Sequence, residues 1–359
     1  MKNNYCVIMA GGIGSRFWPV SRNDYPKQFL DILGTGKTLI QQTFARFKKI
    51  CPTENIYIVT NELYKDLILK QLEDIKPEQI LCEPERRNTA PCIAYASFKI
   101  KSINPDANIV VAPSDHIILQ EDIFVDCINQ CLSFTKEGDH LVTLGIQPSR
   151  PDTGYGYIQF IDQKKKDEIK KVKTFTEKPN LEMAKFFLKS GDFLWNAGIF
   201  IWNINSIMNA LKQHLPDIYN LFMSNPSVYG TDEENSFIKK TYEHCTNISI
   251  DFGIMEKAEN VFVLGADFGW SDLGTWGSLY EHVPHDDKKN AVVGKSVLLY
   301  NSENNIVNVK HGKLAVLQGL KDYIVIDTKD VLLICKKEDE QQIRQFVNDV
   351  KLKMGEKFI

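Results

Sequence analysis

A short apolar run, Tyr5-Cys6-Val7-Ile8-Met9, passes without a break into Ala10-Gly11-Gly12-Ile13-Gly14-Ser15-Arg16-Phe17-Trp18-Pro19. A strand that ends in closely spaced glycines and an arginine constrains the fold more than any other stretch of this chain. Glycine has no Cβ, so the backbone can take positive φ and turn its N–H groups toward a large anion. Arg16 adds a fixed cation at the same point, and Lys27 follows on the far side of a turn that contains Pro26.

The rest of the first 150 residues repeats the strand-then-helix pattern. Apolar runs stand at Tyr5–Met9, Ile56–Val59, Ile80–Cys82, Ile109–Val111 and Leu141–Leu144. Stretches with helical spacing separate them, at Leu39–Phe47, Tyr64–Leu72, Ala90–Ile100 and Phe124–Phe134. Strands apolar on both faces that alternate with helices predict an α/β fold, Rossmann-like, with a mixed but mainly parallel sheet. Ligands in such sheets sit beyond the carboxyl ends of the strands. The glycine loop follows the first strand and Pro113-Ser114-Asp115-His116 the fourth, which puts both motifs on one sheet edge.

Further strands are expected near Tyr157, at Val172–Thr176, at Ala197–Trp202 after Trp195-Asn196, and at Val261–Leu264. Beyond the polar stretch His285–Asn290 the pattern changes to short apolar runs that begin near 297, 306, 314, 323 and 331. Polar turns divide them, which reads as a small meander or a β-solenoid, and a helix from about Glu338 to Lys353 follows. A catalytic domain over residues 1–290 and a small β domain over 291–359 are the expected division.

A formal net charge of −3 and a pI near 6.2 exclude the basic excess of a general nucleic-acid binder, so phosphate binding must come from local cations. The eight cysteines form no Cys-x-x-Cys pair and read as reduced core thiols. With neither a signal-peptide pattern nor an apolar run of about 20 residues, a cytoplasmic protein without membrane contact is expected.

Rival readings of the first loop fail on spacing. A dinucleotide fingerprint needs glycine at Phe17, and a Walker loop ending in Gly36-Lys37-Thr38 needs glycine at Asp31. Thr38 is instead a candidate N-cap. Asp115, just past a strand, either holds Mg²⁺ or caps the next segment; Asp272 lies in the loop Gly269–Gly274, where nothing local calls for an acid. Two such aspartates suit one hard cation. Glu177-Lys178-Pro179 offers an acceptor and a cation for a sugar hydroxyl and a phosphate, or is a surface ion pair; Asn196 binds a hydroxyl or caps a turn. The run Lys164–Asp167 reads as a solvated loop.

In this order the motifs resemble those of the sugar-nucleotide pyrophosphorylases, and among them the mannose-1-phosphate guanylyltransferases. The resemblance runs through Gly11–Pro19, Ser21-Arg22, Pro26–Phe29, Glu85-x-Arg87-Asn88-Thr89-Ala90-Pro91, Pro113–His116, Thr153–Tyr157, Phe175-x-Glu177-Lys178-Pro179 and Gly269–Asp272. One departure is Ala197, where the family often has serine. The resemblance implies the fold of nucleotide-diphospho-sugar transferases with a short C-terminal β-helix, and no isomerase domain, since only about 70 residues follow position 290. It implies GTP and mannose 1-phosphate as substrates and Mg²⁺ on Asp115 and Asp272. Ala10, Gly11, Gly12, Gly14, Ser15, Arg16, Arg87, Asn88, Ser114 and Asp115 would bind the nucleotide, and Gly156, Glu177, Asn196 and Gly198 the sugar. Arg16, Lys27, Asp115, Lys178 and Asp272 would be catalytic, with Lys27 drawing charge from the α-phosphate and Lys178 holding the sugar phosphate. Open strand edges suggest a homodimer. The alternatives are a pyrophosphorylase for another pair, such as glucose 1-phosphate with UTP, a nucleotide-sugar sensor of the same fold, and a Rossmann oxidoreductase.

Overall fold

The nine strands of the main sheet are β1 (Asn4–Met9), β2 (Ile56–Asn61), β3 (Ile80–Glu83), β4 (Asn108–Pro113), β5 (Leu141–Ile146), β6 (Tyr157–Phe160), β7 (Lys170–Thr176), β8 (Phe193–Asn203) and β9 (Val261–Gly265). The structure is a computed structural model and describes residues 2–161, 169–309 and 312–359. The charged run Lys164–Asp167 therefore lies outside the described residues. By contacts the chain divides into two interleaved units, a larger one of Met1–Gly11, Thr43–Ser114 and Ile118–Trp270, and a smaller one of Gly12–Gln42, Asp115–Ile117 and Ser271–Ile359.

The main sheet belongs to the larger unit and runs β3-β2-β1-β4-β8-β5-β9-β7-β6, with β6 also paired to β8. β1 lies parallel between β2 and β4, with Met9 opposite both Val59 and Pro113, so the turns after β1 and β4 do emerge side by side. The inner strands are apolar throughout because both faces are covered. The helix Thr89–Ile103 is buried from Ala90 to Ile100, all round, as a helix inside a core must be. Its one buried cation, Lys99, pairs with the carboxylate of Glu234, which also accepts from the Tyr95 hydroxyl at 2.9 Å.

β8 corrects the sequence reading. It begins at Phe193 rather than Ala197, so Trp195 and Asn196 lie within the strand and not before it. Leu194 and Trp195 are buried, and that burial holds the extension in the sheet. Asn196 falls at an irregularity, where the pairing with β5 shifts register between Thr143 and Gly145. Gly198 takes φ of 67° there, a conformation open to glycine at little cost.

In the smaller unit the C-terminal strands are β10 (Ala291–Val293), β11 (Val297–Tyr300), β12 (Ile306–Val309), β13 (Ala315–Gln318), β14 (Tyr323–Asp327) and β15 (Leu332–Lys336). β10, β12 and β14 are parallel neighbours, as are β11 and β13; only β15 is antiparallel, to β14. Parallel stacking excludes the meander and leaves the β-helix. Each coil corner is set by a left-handed residue just before a strand: Lys289, Asn304 and Asp322, with φ of 61°, 56° and 61°. Sequence inspection read the stretch ending at Asn290 as a boundary and missed β10, which is only three residues long.

Asn290 and Asn305, exposed by composition, are 1% and 0% accessible. Asn305 Nδ2 donates to Asn290 Oδ1 at 2.9 Å and to the Leu320 carbonyl at 2.9 Å, and its Oδ1 accepts from Tyr323 N–H at 2.9 Å. The pair forms a short asparagine ladder joining successive coils. The predicted helix starts later than expected: Lys337–Gln342 is 3₁₀ and Ile343–Met354 is α-helical. Thr38 caps as expected, its Oγ1 accepting from Gln41 N–H at 3.4 Å while Gln41 Oε1 accepts from Thr38 N–H at 2.9 Å. None of the eight cysteines is in a disulfide. Among the described residues no helix is long and apolar enough to cross a membrane.

Replacing Asn305 with leucine keeps the branched shape but leaves the Tyr323 amide and the Leu320 carbonyl without their partner. A loss of about 2–4 kcal/mol is expected in denaturant unfolding. An unchanged midpoint would remove the ladder from the list of what holds the coils together.

Candidate active site

The smaller unit carries the glycine–arginine loop from Gly12 onward. Of its glycines only Gly14 takes positive φ, at 57°, and it caps the 3₁₀ turn Ser15–Phe17. A Cβ at Gly14 would lie 2.7 Å from Lys27 Cβ and 2.9 Å from Ser21 Oγ, so both conformation and space demand glycine there. Gly12 meets nothing, and its carbonyl accepts from Gln28 Nε2 at 3.0 Å. Arg16 is partly buried, and its Nε has no acceptor among the described residues.

Lys27 gathers the acidic segments. Its buried ammonium lies 2.9 Å from Asp115 Oδ2 and donates to the main-chain carbonyls of Asp272 at 2.9 Å and Leu273 at 3.0 Å. An ammonium has three donors, and all three are engaged. In this arrangement Lys27 positions the two aspartate loops. Burial pushes the Asp115 carboxyl up, but Lys27, with His116 behind it, more than offsets this and holds it below its ordinary range. Asp272 Oδ1 accepts from Gly274 N–H at 2.9 Å, which shapes its own loop.

At the sheet edge of the larger unit, Ala10 spends both backbone groups internally. Its N–H donates to the Val59 carbonyl at 2.8 Å and its carbonyl accepts from Thr60 Oγ1 at 3.0 Å. Ser114 is likewise buried, its N–H on the Met9 carbonyl at 3.0 Å and its own carbonyl taken by Thr43 Oγ1 at 3.2 Å. Both are held by these bonds to the scaffold. Asn88, at φ 68°, uses Oδ1 to cap the helix that starts at Thr89, and Arg87 pairs with Glu85 at 2.7 Å.

Beside Gly11 stands a residue the sequence did not single out. Glu83, at the end of β3, is 8% accessible. Its Oε1 accepts from the Tyr242 hydroxyl at 3.0 Å, and its Oε2 would lie 3.5 Å from a Cβ placed on Gly11. Burial raises its pKa to about 7 against the opposing pulls of Tyr242 and Arg86. Glu83 lies within the run Ile80–Glu83, and only its burial distinguishes it from Glu85 two residues on.

The third cluster is also in the larger unit. Glu177 is nearly buried, pairs with Lys178 at 2.5 Å, and occupies space that a side chain at Gly156 would need. Lys178 stands in the left-handed region at φ 48° and is largely exposed. Asn196 makes four hydrogen bonds to protein partners. Its Oδ1 accepts from Thr143 Oγ1 at 3.0 Å and Gly198 N–H at 3.1 Å, its Nδ2 donates to Asp251 Oδ1 at 2.8 Å, and its N–H donates to the Gly156 carbonyl at 2.8 Å. Asn196 thereby aims Asp251, a buried carboxyl that sequence reading did not single out. Burial, then the nearby Glu177 charge, raises Asp251 to about 6. Ile250, next to it, donates its N–H to Thr89 Oγ1 at 2.8 Å, which ties this segment to the Arg87–Pro91 motif. An Asn196→Ala variant should lose about 1–3 kcal/mol in chemical denaturation, because it takes away the partner of Asp251 Oδ1 and of the Gly198 N–H together, while Thr143 keeps the Ile199 carbonyl; an Asn196→Asp variant that matched wild type would contradict the donor role of Nδ2.

Residues 5–289 match the family model for nucleotidyl transferases, and residues 294–350 match that of the MannoseP isomerase/GMP-like beta-helix domain. Mannose-1-phosphate guanylyltransferase of Escherichia coli is 33% identical over 356 residues, covering 96% of this chain and 75% of that protein. Mannose-1-phosphate guanylyltransferase 2 of Escherichia coli O157:H7 is 36% identical over 366 residues, covering 98% and 74%. The chain thus spans about three-quarters of the length of these relatives. A crystal structure described as mannose-1-phosphate geranyltransferase from Thermus thermophilus superposes with a TM-score of 0.87 at 27% identity, covering 97% of this chain and 99% of that one. With the nucleotidyl transferase model matched over most of its length and these relatives aligned across nearly all of it, the chain is a nucleotidyltransferase and belongs to the mannose-1-phosphate guanylyltransferase family.

Proposed function

We propose that the protein transfers GMP from GTP to α-D-mannose 1-phosphate, giving GDP-mannose and pyrophosphate. The observation that carries this reading is the Lys27 junction, which fixes a charged Asp115 and the Asp272 loop in the same unit as the glycine–arginine turn. A sugar-phosphate oxygen attacks the α-phosphorus, the bond from that phosphorus to the β-phosphate bridging oxygen breaks, and pyrophosphate leaves with the electron pair. The nucleophile is already an anion, so no general base is required, and the protein supplies alignment and charge.

Asp115 and Asp272 offer hard oxygen donors, and Asp115 is held ionised, so the pair fits Mg²⁺ completed by substrate phosphates. When bound, the ion would draw charge from phosphate oxygens. Arg16 and the turn after Gly14 would hold the departing phosphates. Lys178 would hold the sugar phosphate, with Glu177 and Asp251 on the sugar hydroxyls and Gly156 and Gly198 shaping the strand that presents them. Glu83 is the group suited to guanine: a carboxylate accepts from the N1–H and the amino group together, whereas adenine presents an acceptor at N1. Arg87 and Asn88 would support that end through the helix they begin. A cytoplasmic homodimer completes the reading; Leu298, Tyr300 and Val316, 47–55% exposed on β11 and β13, offer an apolar face for self-association.

Pyrophosphate release measured across four nucleoside triphosphates and several sugar 1-phosphates tests the pair. Turnover restricted to UTP with glucose 1-phosphate would replace it, and tight nucleotide-sugar binding without turnover would make the protein a sensor. Asp115→Ala should cost on the order of a hundredfold or more in kcat with the fold intact by circular dichroism. Full activity in that variant would overturn the metal assignment.

Two pH profiles follow from the raised carboxyls. Glu83 must ionise to accept two donors, so the KM for GTP should fall as pH rises through about 7. In Glu83→Gln that step should vanish, and the preference for GTP over ATP should drop roughly ten- to hundredfold. Asp251 should produce a corresponding step in the KM for mannose 1-phosphate near pH 6. Because the substrate phosphate titrates in the same range, the diagnostic quantity is the wild-type profile compared with that of Asp251→Asn.

A further inference from the structure

Arg16 is not the only guanidinium at the phosphate loop. The helix Ile343–Met354 packs against the turn Ser15–Phe17 within the smaller unit. Ile343 is fully buried in the same apolar cluster as Phe17 and Trp276. Two further contacts pin the C-terminal segment: Trp18 Nε1 donates to the Phe358 carbonyl at 2.6 Å, and Glu340 Oε2 accepts from Gly277 N–H at 2.8 Å. Arg344, the residue after Ile343, is thereby set on a fixed helix near Arg16, with its side chain exposed.

Among the described residues, neither Arg16 nor Arg344 forms an ion pair with a carboxylate, and Arg16 Nε is buried without an acceptor. The acids just before the helix are all turned elsewhere: Glu338 to Lys336 at 3.1 Å, Asp339 to Gln342 at 2.6 Å, Glu340 to Gly277. Burial, and behind it the charge of Arg16, pulls the Arg344 guanidinium below its ordinary range. Two like charges held on a rigid scaffold without a counter-charge raise the energy of the empty site and lower that of a site holding a dense anion.

We propose that Arg344 is a second phosphate-binding residue, which with Arg16 grips the pyrophosphate end of the nucleoside triphosphate and the pyrophosphate that leaves. This rests on the nucleotidyl-transfer reading above and adds a group from the C-terminal helix to it. A guanidinium forks onto two phosphate oxygens at once, and pyrophosphate has oxygens enough for two such forks. Attack at the α-phosphorus shifts charge onto this end, so Arg344 would act in catalysis as well as in binding.

The test uses the full chain and pyrophosphate alone as the probe, by titration calorimetry, alongside steady-state kinetics. Arg344→Gln should weaken pyrophosphate binding roughly ten- to hundredfold and raise the KM for GTP, leaving the KM for mannose 1-phosphate unchanged. Arg344→Lys, which keeps the charge and loses the fork, should fall between, and it carries the test if the glutamine variant does not fold. Lys351→Gln, on the same helix and paired with Glu356, should match wild type. Unchanged pyrophosphate affinity in the folded Arg344 variants would overturn the proposal, as would equal weakening by Lys351→Gln. Pyrophosphate binding that depends on Arg344 in a protein with no GTP and mannose 1-phosphate turnover would uphold the anion site while removing the proposed reaction.

Discussion

The smaller unit depends on one buried ammonium. Lys27 is 5% accessible and satisfies three oxygens drawn from Asp115, Asp272 and Leu273. Taking that charge out of water costs several kcal/mol, which only close and complete hydrogen bonding offsets. The geometry meets the condition, with every contact within 3.0 Å and the Phe17 ring 5.5 Å away adding cation–π attraction. Gly14 follows from the same junction, since its missing Cβ is what lets Lys27 and Ser21 approach. The conformation of the loop, the charge on Asp115 and the path of the Asp272 turn are therefore one arrangement.

The strands that order the larger unit were readable because their burial is two-sided and uniform. Tyr5–Met9 and Ile109–Val111 need no context to be recognised, and their parallel pairing brings their ends together. Candidate site groups stand out in sequence where local composition is odd, as at Gly14-Ser15-Arg16 or Glu177-Lys178-Pro179. Glu83 and Asp251 lack such a signal: one closes a run of strand residues, the other opens Asp251–Met255 amid apolar neighbours. What makes them notable is Tyr242 and Asn196, 159 and 55 residues away in sequence. Asn196 shows the other side of this. Its neighbours in sequence leave open whether it binds a hydroxyl or caps a turn, and only the register shift opposite Gly145 shows the internal bonds its amide makes.

The C-terminal coils show how a correct spacing can conceal an architecture. Strand starts eight or nine residues apart suit a hairpin meander as well as a solenoid. The parallel register decides, because Ala291 pairs with Ile306 and Ile306 with Ile324, steps of two strand intervals each. Each coil therefore holds two strands, and the corner before each repeat needs a left-handed residue. Asparagine and aspartate tolerate that conformation, and a buried asparagine following the corner can bridge to the next coil. Glycine marks only part of the turns, at Gly294, Gly312 and Gly319; Lys289, Asn304 and Asp322 declare themselves only once their φ angles are known.

Sequence families and physical contacts cut this chain in different places, and the difference bears on the chemistry. The matched models break between residues 289 and 294, yet the segment Gly12–Gln42 belongs by its contacts with Ser271–Ile359. Phe17, Trp18 and Ile32 share a core with Ile306, Ile324 and Leu333, and Arg22 pairs with Asp330 at 2.6 Å. The side chains of the phosphate loop thus rest on the β-helix. A glycine-rich turn has little packing of its own, and its conformation must be imposed by what lies beneath it. Here that support is the C-terminal domain, so a change in β-helix packing reaches Arg16 and Lys27 through a continuous apolar core, without any direct contact to a substrate.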